Sequence, residues 1–298
     1  MSIAVRRLMS FVRFASIVVC AVAASAQKDA PAESRPTEAA SRPSAGADSR
    51  TSVAAEAKPF KFVVPGSVWT ATFAPIPSVK GDGATLWMST TEIPWDAYDV
   101  FVFATDLAEG EADLDGVTRP SKPYIPPDRG LGHAGYPAIS VAFRGADFFG
   151  VWLSKRTGGS FRLPTEAEFE SAARAGATGK WCCGDDAKAL DAFAWTSENS
   201  GEKPRPLATR KANAWGLFDL HGNVGEWCVA ADGRGVVKGG NYLLPADEAA
   251  AGARKLHDRA WQKTDPQIPK SKLWLTDGPF VGFRVVCDAL PTKVKLVP

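Results

Sequence analysis

The sequence predicts an α+β fold in one large domain, with few helices, short strands and long loops. Three observations support that class. Helix-spaced apolar residues occur only between Thr91 and Gly176. Short runs rich in aromatic and β-branched residues lie on either side, bounded by Gly, Pro, Asn and Asp. All ten tryptophans fall after residue 58. Long loops need anchors, and a buried indole with one polar N–H can supply them.

Taken in order, Phe60 to Val64 and Trp69 to Phe73 read as strands around the Pro65-Gly66 turn, and Leu86-Trp87-Met88 begins a third. Thr91 to Phe103 changes to helical spacing, with Pro94 suited to the first turn and Thr91 as candidate cap. Residues 106–136 are rich in Gly, Pro and Asp and read as an irregular excursion. A second helix is expected over Val141 to Leu153, stopped by Thr157-Gly158-Gly159. Thr165 and Glu168 form a capping box for a third, which Gly176 ends. Beyond it helical signals fade. Short strands are expected at Val236-Val237, between glycine turns, and at Phe283 to Val286.

Two segments precede this domain. Arg6, Arg7 and Arg13, the apolar stretch Phe14 to Ala24 and the small residues Ala24-Ser25-Ala26 make residues 1–26 a signal peptide. Residues 27–58 hold Ala, Ser, Pro, Thr and balanced charge, too little apolar surface to offset chain entropy, and read as a disordered linker. The domain then covers 59–298. Export to the periplasm or the extracellular space is expected, with no membrane-spanning segment after cleavage.

Charge and histidine content exclude several functions. The formal net charge is +2, and removing the first 26 residues, with three arginines and no acid, leaves −1. Nucleic acid is therefore not an expected partner. Three histidines, without ligand spacing, exclude a His-rich metal centre. Ser67 and Ser160 follow glycines but lack a nucleophile elbow. Export permits disulfides among Cys182, Cys183, Cys228 and Cys287; a bridge between the adjacent pair is strained, and a Cys228–Cys287 bridge is one open pairing.

Several stretches then become specific. Arg162-Leu163-Pro164-Thr165-Glu166-Ala167-Glu168-Phe169-Glu170, Asn213 through Trp227 (with Gly222-Asn223-Val224-Gly225-Glu226-Trp227), Lys238-Gly239-Gly240-Asn241-Tyr242 and Gly282-Phe283-Arg284-Val285-Val286 closely resemble, in order, the motifs of the formylglycine-generating enzyme, or sulfatase-modifying factor, family. Thr91-Glu92-Ile93-Pro94-Trp95 is similar to its N-terminal signature. The resemblance covers about residues 60–288. It implies a C-type-lectin-like domain held by buried aromatics, in which Arg162, Trp215, Trp227 and Arg284 pin loops.

The family's enzymes carry two Cu(I)-binding cysteines after the Gly-Gly motif. Here Leu244 and Ala249 stand at the matching positions, and no cysteine lies between Cys228 and Cys287. Cu(I) needs soft thiolates, so copper is not expected at that site. Cys182 and Cys183 could substitute only if the fold brought their loop there. By resemblance, calcium would be held by the Asp219 side chain, the Gly222 and Val224 carbonyls and the Glu226 carboxylate, an oxygen set of the kind Ca²⁺ takes. Gly225 departs from the family, where an aromatic is usual. The family's second calcium site is expected to be lost or rebuilt around Asn199 and Asp185.

The expected function is thus an exported, non-catalytic binding module for a protein or small-molecule ligand, with a pocket near Asn241, Tyr242 and Leu244 and polar help from Arg254 or His257. The alternative is a divergent enzyme of the same family.

Overall fold

The computed structural model describes residues 57–107, 118–123 and 126–297. The expected signal peptide, nearly all of the linker and part of the 106–136 excursion lie outside the described residues. Phe60–Val63 (β1), Thr70–Pro77 (β2), Thr85–Ser89 (β3), Ser160–Arg162 (β4) and Val286–Ala289 (β9) form a five-stranded sheet in the order β1-β2-β3-β9-β4. Gly225–Val229 (β5), Gly235–Lys238 (β6), Arg254–Leu256 (β7) and Val281–Gly282 (β8) form a second sheet in the order β7-β6-β5-β8. All neighbours are antiparallel except β5 and β8, which run parallel.

The first sheet is built on alternation. Phe60, Phe62 and Phe73 point to one face and stack, the Phe60 and Phe73 centroids 5.0 Å apart, with Phe161 of β4 closing the cluster. β1 pairs only with residues 70–73 of β2, so Pro75 and Pro77 fall where β2 has β3 as its only neighbour. A residue without an N–H is tolerated there.

The helices Trp95–Phe103 (α1), Phe143–Thr157 (α2) and Glu166–Arg174 (α3) are joined by a one-turn helix, Ala187–Leu190 (α4). α3 carries the expected capping box, with Glu168 N–H donating to Thr165 Oγ1 and Thr165 N–H to the Glu168 carboxylate. α2 ends at Gly158 in the left-handed region, as the sequence indicates. α1 starts later than expected. Thr91 does not cap it, because Glu92 and Ile93 are drawn out straight by backbone bonds from Ile93 N to Phe283 O and from Ala138 N to Ile93 O.

The strand expected at Phe283 to Val286 is split into β8 and β9. The intervening residues bridge the sheets: the Phe283 carbonyl accepts from Ile93 and the Val285 carbonyl from Ser89. β5 lacks a readable signal, because residues 225–228 are buried on both faces and show no alternation. The indoles act as anchors, as the composition suggests. Trp227 Nε1 donates to Val141 O at 2.8 Å, Trp274 Nε1 to Ser121 O at 2.9 Å and Trp181 Nε1 to Ala246 O at 3.1 Å.

Candidate functional site

Four regions carry the residues singled out by sequence. The first is the loop Asp219 to Glu226, which enters β5. Glu226 and Arg284 are fully buried and paired in a bidentate fork, Nε to Oε2 at 2.6 Å and Nη2 to Oε1 at 2.8 Å. The remaining guanidinium donors reach Ser89 O at 3.1 Å and Phe218 O at 2.9 Å. Arg284 therefore ties the end of β3, the 218 loop and β5 together. Asp219 Oδ2 accepts from Ala208 N–H at 2.8 Å, while Asp219 Oδ1 and both Glu92 carboxyl oxygens are buried without a hydrogen-bond partner among the described residues. Burial pushes Asp219 up to about 6. Burial, then the nearby Asp219 and Glu226 carboxylates, pushes Glu92 well above the ordinary range.

As placed, both Glu226 oxygens face the Arg284 guanidinium, so Glu226 would have to leave that cation, or share its carboxylate with it, to ligate calcium. No three His, Cys, Asp or Glu side chains among the described residues converge as metal ligands. Asn199 and Asp185 are engaged locally, with Asn199 Nδ2 donating to Asp191 and to Ala194 O, and Asp185 accepting from Lys180 N–H. Gly225, where the family has an aromatic, has no room for a side chain: a Cβ there would lie 2.6 Å from Val237 Cγ1.

The second region is the segment after the Gly-Gly turn. Gly240 has φ of 71°, and a Cβ there would meet Ala249 Cα at 2.8 Å, so the chain folds tightly back on itself. Asn241 Oδ1 accepts from Leu243 N–H, Tyr242 O accepts from Ser200 Oγ at 2.7 Å, and Leu244 O accepts from Ser197 N–H at 2.9 Å. Asn241 and Tyr242 are buried. These three residues join loops.

Third, the fold brings the Cys182-Cys183 loop against this same segment. Trp181 Nε1 bonds Ala246 O, Ala251 N–H bonds Lys180 O, and Lys180 Nζ meets Asp247 at 3.0 Å. The buried His221 ring joins them, its Nε2 3.2 Å from Cys182 N and 3.1 Å from Ala173 O and its Nδ1 2.8 Å from Ala249 O. Burial lowers the His221 pKa, so the ring is neutral. All four described cysteines are free thiols: Cys228 and Cys287 lie in separate core clusters, so the pairing left open between them is not formed. Burial, then the neighbouring Cys183, pushes the Cys182 thiol up to about 12.

Fourth, Arg254 and His257 lie on and just after β7. Arg254 Nε meets Glu166 at 3.0 Å. His257 lines a cavity of about 500 Å³ with Phe143, Trp227, Leu256 and Leu275. Arg144, Arg234, Lys270 and Lys272 stand on the same walls and were not singled out by sequence. The available signal was the density of basic residues from Arg254 to Lys272; what hid the site was that Arg144 and Arg234 come from distant elements.

A helix-poor α+β domain with two short-stranded sheets, a buried Glu–Arg latch and tryptophan-anchored loops defines a C-type-lectin-like protein of the sulfatase-modifying type. The model of the Sulfatase-modifying factor enzyme 1-like domain matches residues 50–289, and the chain belongs to that family. Over 105 residues it is 37% identical to a formylglycine-generating enzyme of Mycobacterium tuberculosis, covering 32% of this chain and 33% of that one. Over 98 residues it is 36% identical to a serine/threonine-protein kinase pkn1 of Chlamydia caviae, covering 33% of this chain and 14% of the kinase. The matches therefore span a third or less of those relatives. Among solved structures, Treponema denticola variable protein 1 superposes with a TM-score of 0.55 at 20% identity, over 78% of this chain and 99% of that one, a likeness of fold.

Proposed function

We propose that the protein is an exported, non-catalytic binding module of the sulfatase-modifying-factor family. The observation that carries this reading is the chemistry of the segment after Gly240: Leu244 and Ala249 offer no thiolate where the family's enzymes hold copper. Ala249 is buried and its carbonyl is engaged by His221. Incubation of a copper-loaded preparation with a sulfatase-type cysteine peptide is expected to yield no peptide aldehyde; aldehyde formation would overturn the reading. Export is tested by sequencing the N-terminus of the secreted protein, expected to begin at Gln27. Among the described residues no helix is long and apolar enough to cross a membrane.

A second reading has one observation in its favour. The Cys182-Cys183 loop packs on residues 246–251, so a relocated thiol pair stands beside the family's catalytic segment. Against it, a thiol pushed up to about 12 supplies little thiolate near neutrality. If aldehyde forms and is lost in Cys182→Ser, thiol chemistry has moved to this loop.

Calcium at the Asp219 to Glu226 loop would require Glu226 to leave Arg284 or to share its carboxylate with it. A thermal melt is therefore expected to stay unchanged between chelator and millimolar Ca²⁺.

A further inference from the structure

We propose that the groove running from β7 beneath residues 262–275 is a binding site for an extended acidic peptide segment. This inference names the ligand class for the binding-module reading and rests on it.

The groove joins two cavities, of about 500 and 640 Å³, that share His257, Gln262 and Lys270. That space exceeds what a single inorganic anion fills and suits a run of several residues. Its floor is apolar, with Leu256 exposed and Phe143 half-buried over the buried Trp227 and Leu275. Its walls carry Arg144, Arg234, His257, Lys270 and Lys272 in the first cavity and Arg259 and Lys263 in the second, with no Asp or Glu among the lining residues of either. Arg234 is held by Asp232 outside the groove. Lys270 is braced by the carbonyls of Lys263 and Asp265, which fix its position and leave its charge unneutralised.

Net charge makes this concentration informative. The exported chain carries about one net negative charge, so a groove walled only by cations is a local segregation of charge and not a reflection of a basic protein. Cations gathered around apolar walls fit a ligand with alternating carboxylates and apolar side chains. An extended peptide has that alternation, successive side chains pointing to opposite faces. β7 is the outer strand of its sheet, and its three residues are exposed. An extended ligand in the groove would set its apolar side chains on Leu256 and Phe143 and turn its carboxylates toward Lys270 and Lys272. Lys255 and His257 both flank the Trp261 ring, at 6.0 and 5.6 Å, which holds this edge firm.

The test uses the mature full-length protein and a fluorescent peptide alternating glutamate and leucine, compared with its glutamine counterpart and with a single-stranded oligonucleotide of matched charge. Saturable binding of the glutamate peptide is expected, weakening as salt rises. The glutamine peptide should bind at least ~10-fold more weakly. Lys270→Glu with Lys272→Glu should weaken glutamate-peptide binding by at least ~10-fold, and Lys188→Glu on α4 should not. Equal affinity for the two peptides, indifference to the double reversal, or tighter binding of the oligonucleotide through the same lysines overturns the proposal. Aldehyde formation in the peptide-oxidation assay would sink the module reading while leaving peptide binding standing, so the two fail separately.

Discussion

The Glu226–Arg284 latch and the His257 groove use charge in opposite solvents. In the latch, every charged atom is buried and matched: two oxygens on two guanidinium nitrogens, with the other donors on carbonyls. In the groove, cations stand in water with no lining carboxylate, although Arg234 is paired with Asp232 outside it. A buried charge without a partner is costly, so the latch residues are fixed by folding, and their presence in a recognisable motif reports structure. An exposed cation costs little to leave unpaired, so a cluster of them with no acid opposite needs another explanation. The residues most visible in the sequence are thus the architectural ones, and the residues open to a partner are those it scatters.

The largest effect is expected from breaking the latch. Arg284→Met leaves Glu226 buried and unpaired and should destabilise by about 3–5 kcal/mol in urea unfolding. Adding Glu226→Gln should recover much of that loss, because the stranded charge is removed. Recovery would show that pairing, not either charge alone, is what the core requires. Next comes Glu92, whose folded-state pKa is raised above its unfolded value near 4.3. The native state then binds the proton more tightly, so stability falls as pH rises above about 4.3, until the folded value is passed. Glu92→Gln should abolish that decline and melt higher than the parent at neutral pH, with little change at low pH.

Sequence reading reached the architecture further than the surface. The α3 capping box, the Gly158 stop and the tryptophan anchors depend on local chemistry and are legible from a few adjacent residues. β5 was not, because burial on both faces erases the alternation that marks a strand. The start of α1 was misplaced because long-range pairing of Ile93 with Phe283 and Ala138 overrides a plausible local cap. Of the pocket residues expected near Asn241, His257 faces a large cavity. The rest of that wall comes from residues 142–144, 234–235 and 262–275, a convergence set by the fold and by no local spacing.

A smaller effect lies at the surface near α1. His133 bonds Asp99 at 2.7 Å and Asp128 at 2.8 Å and stacks on Trp95 at 5.1 Å. Partial burial opposes the charged ring, but the two carboxylate bonds outweigh it and raise the His133 pKa. The contribution is therefore fully present below the unfolded value near 6.5 and is lost as pH rises through the higher folded value. The His133→Gln difference in melting temperature should shrink between about pH 6 and alkaline pH and correspond to under about 1 kcal/mol, since both ends of the pairs are partly exposed.

The smallest expected change is also the sharpest test of the contrast between latch and groove. If the groove cations are held for a ligand and not for the fold, Lys272→Glu should alter stability by no more than about 0.5 kcal/mol, the range of ordinary surface substitutions, whereas Lys270→Glu also loses the bonds to the Lys263 and Asp265 carbonyls. Relief of mutual repulsion among Arg144, Lys270 and Lys272 could even raise the melting temperature slightly, and adding salt should stabilise the parent more than the variant, since screening acts on the repulsion that the reversal removes. A loss comparable to that of Arg284→Met would mean that these lysines brace residues 262–275 as the latch braces the core. The distinction between matched buried charge and unmatched exposed charge would then no longer separate what the protein needs to fold from what it presents to a partner.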